Sequence, residues 1–137
     1  MATIRKEVFI SARPETVWSA VRDIGAIHTR LAPGFVTDVR LEPGFRVVTF
    51  GNGTVAREAI VSIEDAERRL VWSIVGTRMT HHNGAAQVFA EAQAGSRFVW
   101  TADLLPDEVA PAIAAAMEQA MPIIKATLER AERDLAT

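Results

Sequence analysis

Hydrophobic and polar positions change their period along the chain. From Ile4 to Ile10 they run Ile4, Lys6, Val8, Ile10 against Arg5, Glu7, Phe9, a strand whose two faces are not cleanly divided. In "ARPETVWSAVRD", Val17, Trp18 and Val21 take helical spacing behind Pro14, a residue suited to a first helical position. Gly25 permits a break, and "AIHTRLAPG" predicts a second brief helix stopped by Pro33 and Gly34. From Phe35 the period becomes two. The turn signals "EPG", "GNG", "EDAERR" and "EAQAGS" then divide six antiparallel strands at about 35–41, 45–50, 54–63, 70–78, 81–90 and 97–104. A long helix starting near Asp107 closes the chain, its acidic first turn suiting the helix dipole. Ile113, Met117, Ala120, Met121, Ile124 and Leu128 form its apolar stripe, and Pro122 predicts a bend because it cannot donate to the carbonyl of Glu118.

This order predicts an α+β fold: a seven-stranded antiparallel sheet, two short helices after the first strand, and a long C-terminal helix. The sheet needs a cover for its apolar face, and only the last helix is large enough. A sheet that curls round that helix leaves room for a cavity between them. At 137 residues, with 49% hydrophobic and 23% charged residues, residues 1–137 read as a single globular domain. The net charge of -2 offers no general attraction for nucleic acid. The absence of cysteine excludes disulfides and thiolate chemistry. The N-terminus lacks a signal-peptide pattern and no stretch of about 18 apolar residues occurs, so a cytoplasmic protein without membrane insertion is expected. With no G-x-S-x-G, P-loop, G-x-G-x-x-G or H-E-x-x-H motif, neither a cofactor nor the usual hydrolase or dehydrogenase chemistry is indicated.

Four stretches, "ARPETVWSAVRDIGAIHTRLAPG", "RLVWSIVG", "THHNGAAQVFAE" and "FVWTADLLPDEVAPAI", resemble the START-like or SRPBCC superfamily, in particular its bacterial polyketide cyclase/dehydratase-like branch. The resemblance covers nearly the whole chain. It implies a helix-grip fold, with a curved sheet gripping the last helix around a pocket for an apolar small molecule. It carries no universal catalytic motif, so function has to be argued from the site.

The candidate site centres on the adjacent histidines. Strand alternation sends His81 and His82 to opposite faces, so they cannot share one metal ion, and only His28 remains as a third imidazole; no metal is expected. Phe98, Trp100, Ala102 and Leu104, with Leu70, Trp72 and Ile74, mark the faces that meet the helix. On the strand between them Gly84, Ala86, Val88 and Ala90 match, which carries His82 inward and leaves His81, Asn83, Gln87 and Phe89 outward. A bulge at Gly84 would exchange the two histidines. An inward His82 needs a hydrogen-bond partner, for which Asn83, Thr80, Arg78 and Glu58 are available. With an ordinary pKa near 6.5 it is the candidate general acid or base, although orienting a ligand is the plainer role.

In "TVAREAIVS" the set Val55, Arg57, Ala59, Val61 and Ile63 is more apolar than Ala56, Glu58 and Ile60, so either charge is a candidate cavity group and a surface salt bridge is the plainer reading. The short second helix, bearing His28, is a candidate lid together with Phe35. Phe50, Trp72, Trp100, Met117 and Met121 are candidate apolar ligand contacts, and Glu58, Arg78, His81, His82 and Asn83 candidate polar anchors. The leading expectation is a protein that binds an apolar or aromatic small molecule such as a lipid, polyketide or isoprenoid. One alternative is a cyclase or dehydratase using His82. A second is an interaction module or homodimer contacting its partner through an exposed face bearing Phe89 and Val99.

Overall fold

A computed structural model describes residues 1–136. Strand β1, Ala2–Ile10, leads into helix α1, Pro14–Arg22, and a five-residue π-helical turn, Ile27–Leu31. Six strands follow: β2 Val36–Glu42, β3 Phe45–Phe50, β4 Val55–Glu64, β5 Arg69–Val75, β6 His81–Glu91 and β7 Gly95–Leu105. Helix α2, Ala110–Leu135, ends the described chain. The expected element order is the observed one. The main difference is at β5, which stops at Val75 rather than continuing to Arg78. Gly76 there adopts φ +72°, a left-handed conformation that turns the chain out of the sheet.

All seven strands form one antiparallel sheet in the order β1-β7-β6-β5-β4-β3-β2, so each strand from β2 to β7 pairs with its sequence neighbour and β1 closes on β7. Register slips between Val36 and Asp38 on β2 and between Ile60 and Ser62 on β4. Such bulges bend a strand and increase its twist. They bring curvature to the half of the sheet formed by β2 to β5, and the sheet grips α2.

The faces follow from alternation. Leu70 and Trp72 of β5, Ala86 and Val88 of β6, and Phe98, Ala102 and Leu104 of β7 are buried towards α2. From the helix, Met117, Ala120, Met121, Ile124 and Leu128 are buried against them, the predicted stripe with Ile113 at its half-buried end. Pro122 lies inside α2, which continues through it. The polar side of α2 is tied down as well: Lys6 of β1 reaches Glu118 at 2.6 Å, and Ser11 N–H donates to Glu129 at 2.8 Å. Helix α1 starts at Pro14, buries Val17, Trp18 and Val21, and is anchored to the β4–β5 turn, where Trp18 Nε1 and Arg22 both donate to Asp65 at 2.8 Å. Those bonds hold the Asp65 carboxyl below the usual range, Arg22 having the larger effect.

The outer face differs from expectation in two places. Val99 is buried at 7% exposure, and Phe89 is covered by the Arg97 guanidinium 4.6 Å from its ring centroid, so neither supplies the bare apolar contact imagined for an interaction module. Val55 and Val61 instead point outwards, each 58% exposed. No described helix is long and apolar enough to cross a membrane.

Candidate functional site: a cavity between sheet and helix

A cavity of about 130 Å³ lies between the concave face of the sheet and α2. The π-helical turn builds one wall. Its backbone closes i→i+5, with Ala32 N–H donating to the Ile27 carbonyl at 2.8 Å, and this pitch brings Ile27, Leu31 and Ala32 together against the cavity. Phe35 and Phe50 meet edge to face beside it, ring centroids 5.6 Å apart. Trp72 and Trp100 line the sheet side at 6.3 Å, and Met117 with Ile113 faces them from α2.

Only three charged or titratable side chains enter this apolar lining, and all three sit on one row across the sheet. Arg46 on β3 pairs with Glu58 on β4, Glu58 pairs with Ile74 on β5, and His82 follows on β6 opposite Leu104 of β7. Arg46 and Glu58 are 4% and 5% exposed and joined by a bond from Arg46 Nε to Glu58 Oε1 of 2.7 Å. The guanidinium also lies 5.5 Å from the centroid of the Trp72 ring and donates to the Ile24 carbonyl at 3.4 Å. Burial pushes the Glu58 carboxyl up, against the pull of Arg46, because a carboxylate away from water loses its hydration.

His82 is 6% exposed and its ring replaces a backbone acceptor. Regular pairing of β5 with β6 ends at Trp72 and Gly84. One step further, Ile74 N–H donates to His82 Nδ1 at 3.0 Å, while the His82 carbonyl accepts from Ser73 Oγ at 2.6 Å. A main-chain amide cannot give up its proton, so Nδ1 is an acceptor and the neutral ring carries its hydrogen on Nε2. Burial lowers the His82 pKa to about 4, with the neighbouring His81 adding to the effect and Asp103 opposing it. At neutral pH His82 is an uncharged hydrogen-bond donor towards the cavity.

The fold and this site agree with what the chain is similar to. A family model described as polyketide cyclase / dehydrase and lipid transport matches residues 1–136. The chain belongs to that family. Solved structures share its helix-grip fold. XoxI from Bacillus cereus is 21% identical with a TM-score of 0.82, covering 100% of this chain and 99% of its own. Norcoclaurine synthase from Thalictrum flavum, a point mutant in complex with a transition-state analogue, is 20% identical with a TM-score of 0.69, covering 94% and 95%. A START superfamily protein from Mycobacterium smegmatis is 15% identical with a TM-score of 0.70, covering 97% and 98%. No curated protein sequence matches the chain.

Within this polyketide cyclase-family chain, the expected site residues divide in two. Phe35, Phe50, Glu58, Trp72, Trp100, Met117 and His82 line the cavity. His28, Arg78, His81, Asn83 and Met121 do not. Met121 is buried in the core beside the cavity. Arg78 is exposed in the loop after β5, and His81 is exposed on the outer face of β6, as alternation requires. Asn83 shares that outer face and is half-buried. His28 lies in the π-helical turn, half-buried, its Nδ1 shielded from solvent without a hydrogen-bond partner, while its neighbours Ile27 and Leu31 take the cavity positions. The partner of His82 is none of the four side chains considered but the β5 backbone.

Glu58 turns inward, against the plainer surface reading, whereas Arg57 stays outside with Glu42 at 3.1 Å. Arg46 was missed altogether. A signal for it existed: once Phe50 is assigned to the cavity, alternation along β3 places Val48 and Arg46 on the same face, opposite the carboxylate of Glu58.

Gly84 hosts no bulge against β7, with which β6 pairs without a slip from His81 to Glu91, and it is the last residue of β6 in regular pairing with β5. It is glycine because Trp72 lies on it: a Cβ there would stand 2.7 Å from Cε2 and 2.9 Å from both Cζ2 and Nε1 of the indole. Gly84→Ala therefore displaces a ring already confined by Trp100 and Arg46. The expected result is a loss of about 1–3 kcal/mol in urea unfolding, with altered tryptophan fluorescence of the folded state. An unchanged midpoint and spectrum would show that the indole is free to move.

Proposed function

We propose that the protein binds a compact apolar or aromatic small molecule in the cavity between sheet and α2. The carrying observation is the lining, in which aromatic and aliphatic side chains surround one polar row of Arg46, Glu58 and His82. An apolar hollow with a few placed polar groups is the usual form of a small-molecule site. Family membership in a group described by cyclases, dehydrases and lipid transport supports the same reading.

Size narrows the guest. A cavity of about 130 Å³ is close to the roughly 150 Å³ hollow known to accept benzene, and well below the roughly 300–1,000 Å³ of drug-sized sites. A lipid tail or extended polyketide needs the π-helical turn and Phe35 to move aside; a single ring does not. Toluene at saturating concentration is expected to raise the Tm, since a ligand at about 100 times its Kd adds about 2.7 kcal/mol. Ala116→Phe, which projects a ring from α2 into the space, should abolish the shift without unfolding the chain. If toluene leaves the Tm of the wild type unchanged, the cavity is not a binding site for compact apolar molecules.

The alternative of a cyclase or dehydratase with His82 as proton carrier is the weaker reading. A base with a pKa of about 4 is almost ineffective at neutral pH, and Nδ1 is occupied by Ile74 N–H. As an acid, a neutral imidazole would have to leave as imidazolate. Polarising a bound oxygen is the chemistry this ring is set up for.

A further inference from the structure

We infer that the guest is a one-ring-sized carbonyl compound whose oxygen accepts a hydrogen bond from His82 Nε2. The inference rests on the cavity reading above and deepens it by naming the ligand's functional group.

Three observations converge. First, the ring of His82 has one defined tautomer, because its Nδ1 takes the Ile74 N–H at 3.0 Å. The Nε2–H is the remaining donor of a residue that lines the cavity, and no described protein group receives it. A guest that offers an oxygen there gains a hydrogen bond that a purely apolar guest cannot make. Secondly, the other polar groups on the row are already paired with each other. Arg46 and Glu58 share a 2.7 Å bond, which leaves His82, two strands from Glu58 and so about 10 Å away along the sheet, as the neutral donor. A carboxylate guest has no net positive charge to meet, since Glu58 balances Arg46, and burial disfavours a second anion. A neutral acceptor suits the site better, and the carbonyl is the strong neutral acceptor of small organic molecules.

Thirdly, the aromatic walls stand one step along the strands from the polar row. Trp72 and Trp100 occupy the next inward positions beyond Ile74 and around Ala102, and the small side chains of Ala86 and Ala102 leave the space beside them. A ring placed against the indoles directs a substituent towards His82. The available 130 Å³ admits one such ring with a short substituent.

The test compares acetophenone with α-methylstyrene, which has the same outline but carries a methylene where the ketone has oxygen. Calorimetric titration of each into the wild type, His82→Phe and His82→Gln gives the affinity ratio of ketone to alkene. This ratio should fall at least about tenfold in His82→Phe, which keeps a ring but has no donor, and should be largely retained in His82→Gln, whose amide supplies one. In the wild type, nitrogen-15 NMR should show a pyridine-like Nδ1 and a protonated Nε2 whose proton moves downfield with acetophenone and not with α-methylstyrene. A ratio that is the same in the wild type and His82→Phe, or an Nε2 proton indifferent to the ketone, overturns the inference while leaving the cavity a binding site. Failure of both compounds to bind the wild type removes the cavity reading and this inference together. Should His82→Phe fail to fold, the wild-type NMR comparison decides alone.

Discussion

Replacing Glu58 by leucine lowers the folding stability by about 3–5 kcal/mol, the cost of breaking a buried pair from one side. The leucine leaves the Arg46 guanidinium 4% exposed, with only the Ile24 carbonyl and the Trp72 ring to answer its charge. The double variant Arg46→Met/Glu58→Leu removes both charges and keeps the volume, so most of that loss should be recovered, and the double variant should unfold at a higher urea concentration than Glu58→Leu. The two single changes are therefore strongly non-additive. If Glu58→Leu unfolds within about 1 kcal/mol of the wild type, the pair is hydrated in solution and the cavity is wetter than its lining implies. The comparison also bears on function: a neutral row lacking both charges should bind toluene at least as well, because the pair contributes no contact an apolar guest needs.

Acidification from pH 7 to pH 4 removes about 3 kcal/mol through His82. The folded imidazole has its pKa lowered from 6.5 to about 4, and each unit is worth about 1.36 kcal/mol. The sign follows from which state takes the proton first. Between pH 6.5 and about 4 the unfolded chain binds a proton that the folded chain refuses, so stability is full above 6.5 and declines as pH falls towards 4. Other groups titrate in the lower part of this range. Asp65, Glu129 and Glu132 are held down by hydrogen bonds from Arg22, Lys125 and Thr16 respectively, and lose stability as they are protonated, while Glu58, pushed up by burial, acts in the opposite direction. The His82 part is isolated by difference: urea unfolding of His82→Gln should show a shallower decline between pH 6.5 and 5, where the carboxylates contribute least. Parallel curves for the two proteins would mean that the imidazole is protonated in the folded state at ordinary cost, and the hydrogen bond to Ile74 would have to be given up.

Both predictions concern residues whose roles were only partly legible in the linear chain. The histidine was placed correctly on the inner face of β6 because its neighbours Gly84, Ala86 and Val88 are small or apolar at every second position, and that pattern runs unbroken through a regular strand. Glu58 was harder. Counting apolar residues on β4 favours the set with Val55, Val61 and Ile63, yet Val55 and Val61 face outwards, each 58% exposed, and Ile63 leaves that set by pairing with the inward Leu70. The slip between Ile60 and Ser62 breaks the period after Ile60, so residues beyond it do not count with those before it, and a cavity tolerates a charge where its counter-ion arrives from the next strand.

The order of strands and helices, the long apolar stripe of α2 and the inward set on β6 were determined by the sequence alone, because each depends on spacing within one element. Pairing across strands was decided by tertiary structure: Arg46 with Glu58, twelve residues apart, and the Ile74 amide with His82, eight apart. So was the small volume left beside two tryptophans. Local periodicity tells a side chain which face to occupy, but its protonation, its partner and the space in front of it depend on atoms that only the folded sheet and helix bring within reach.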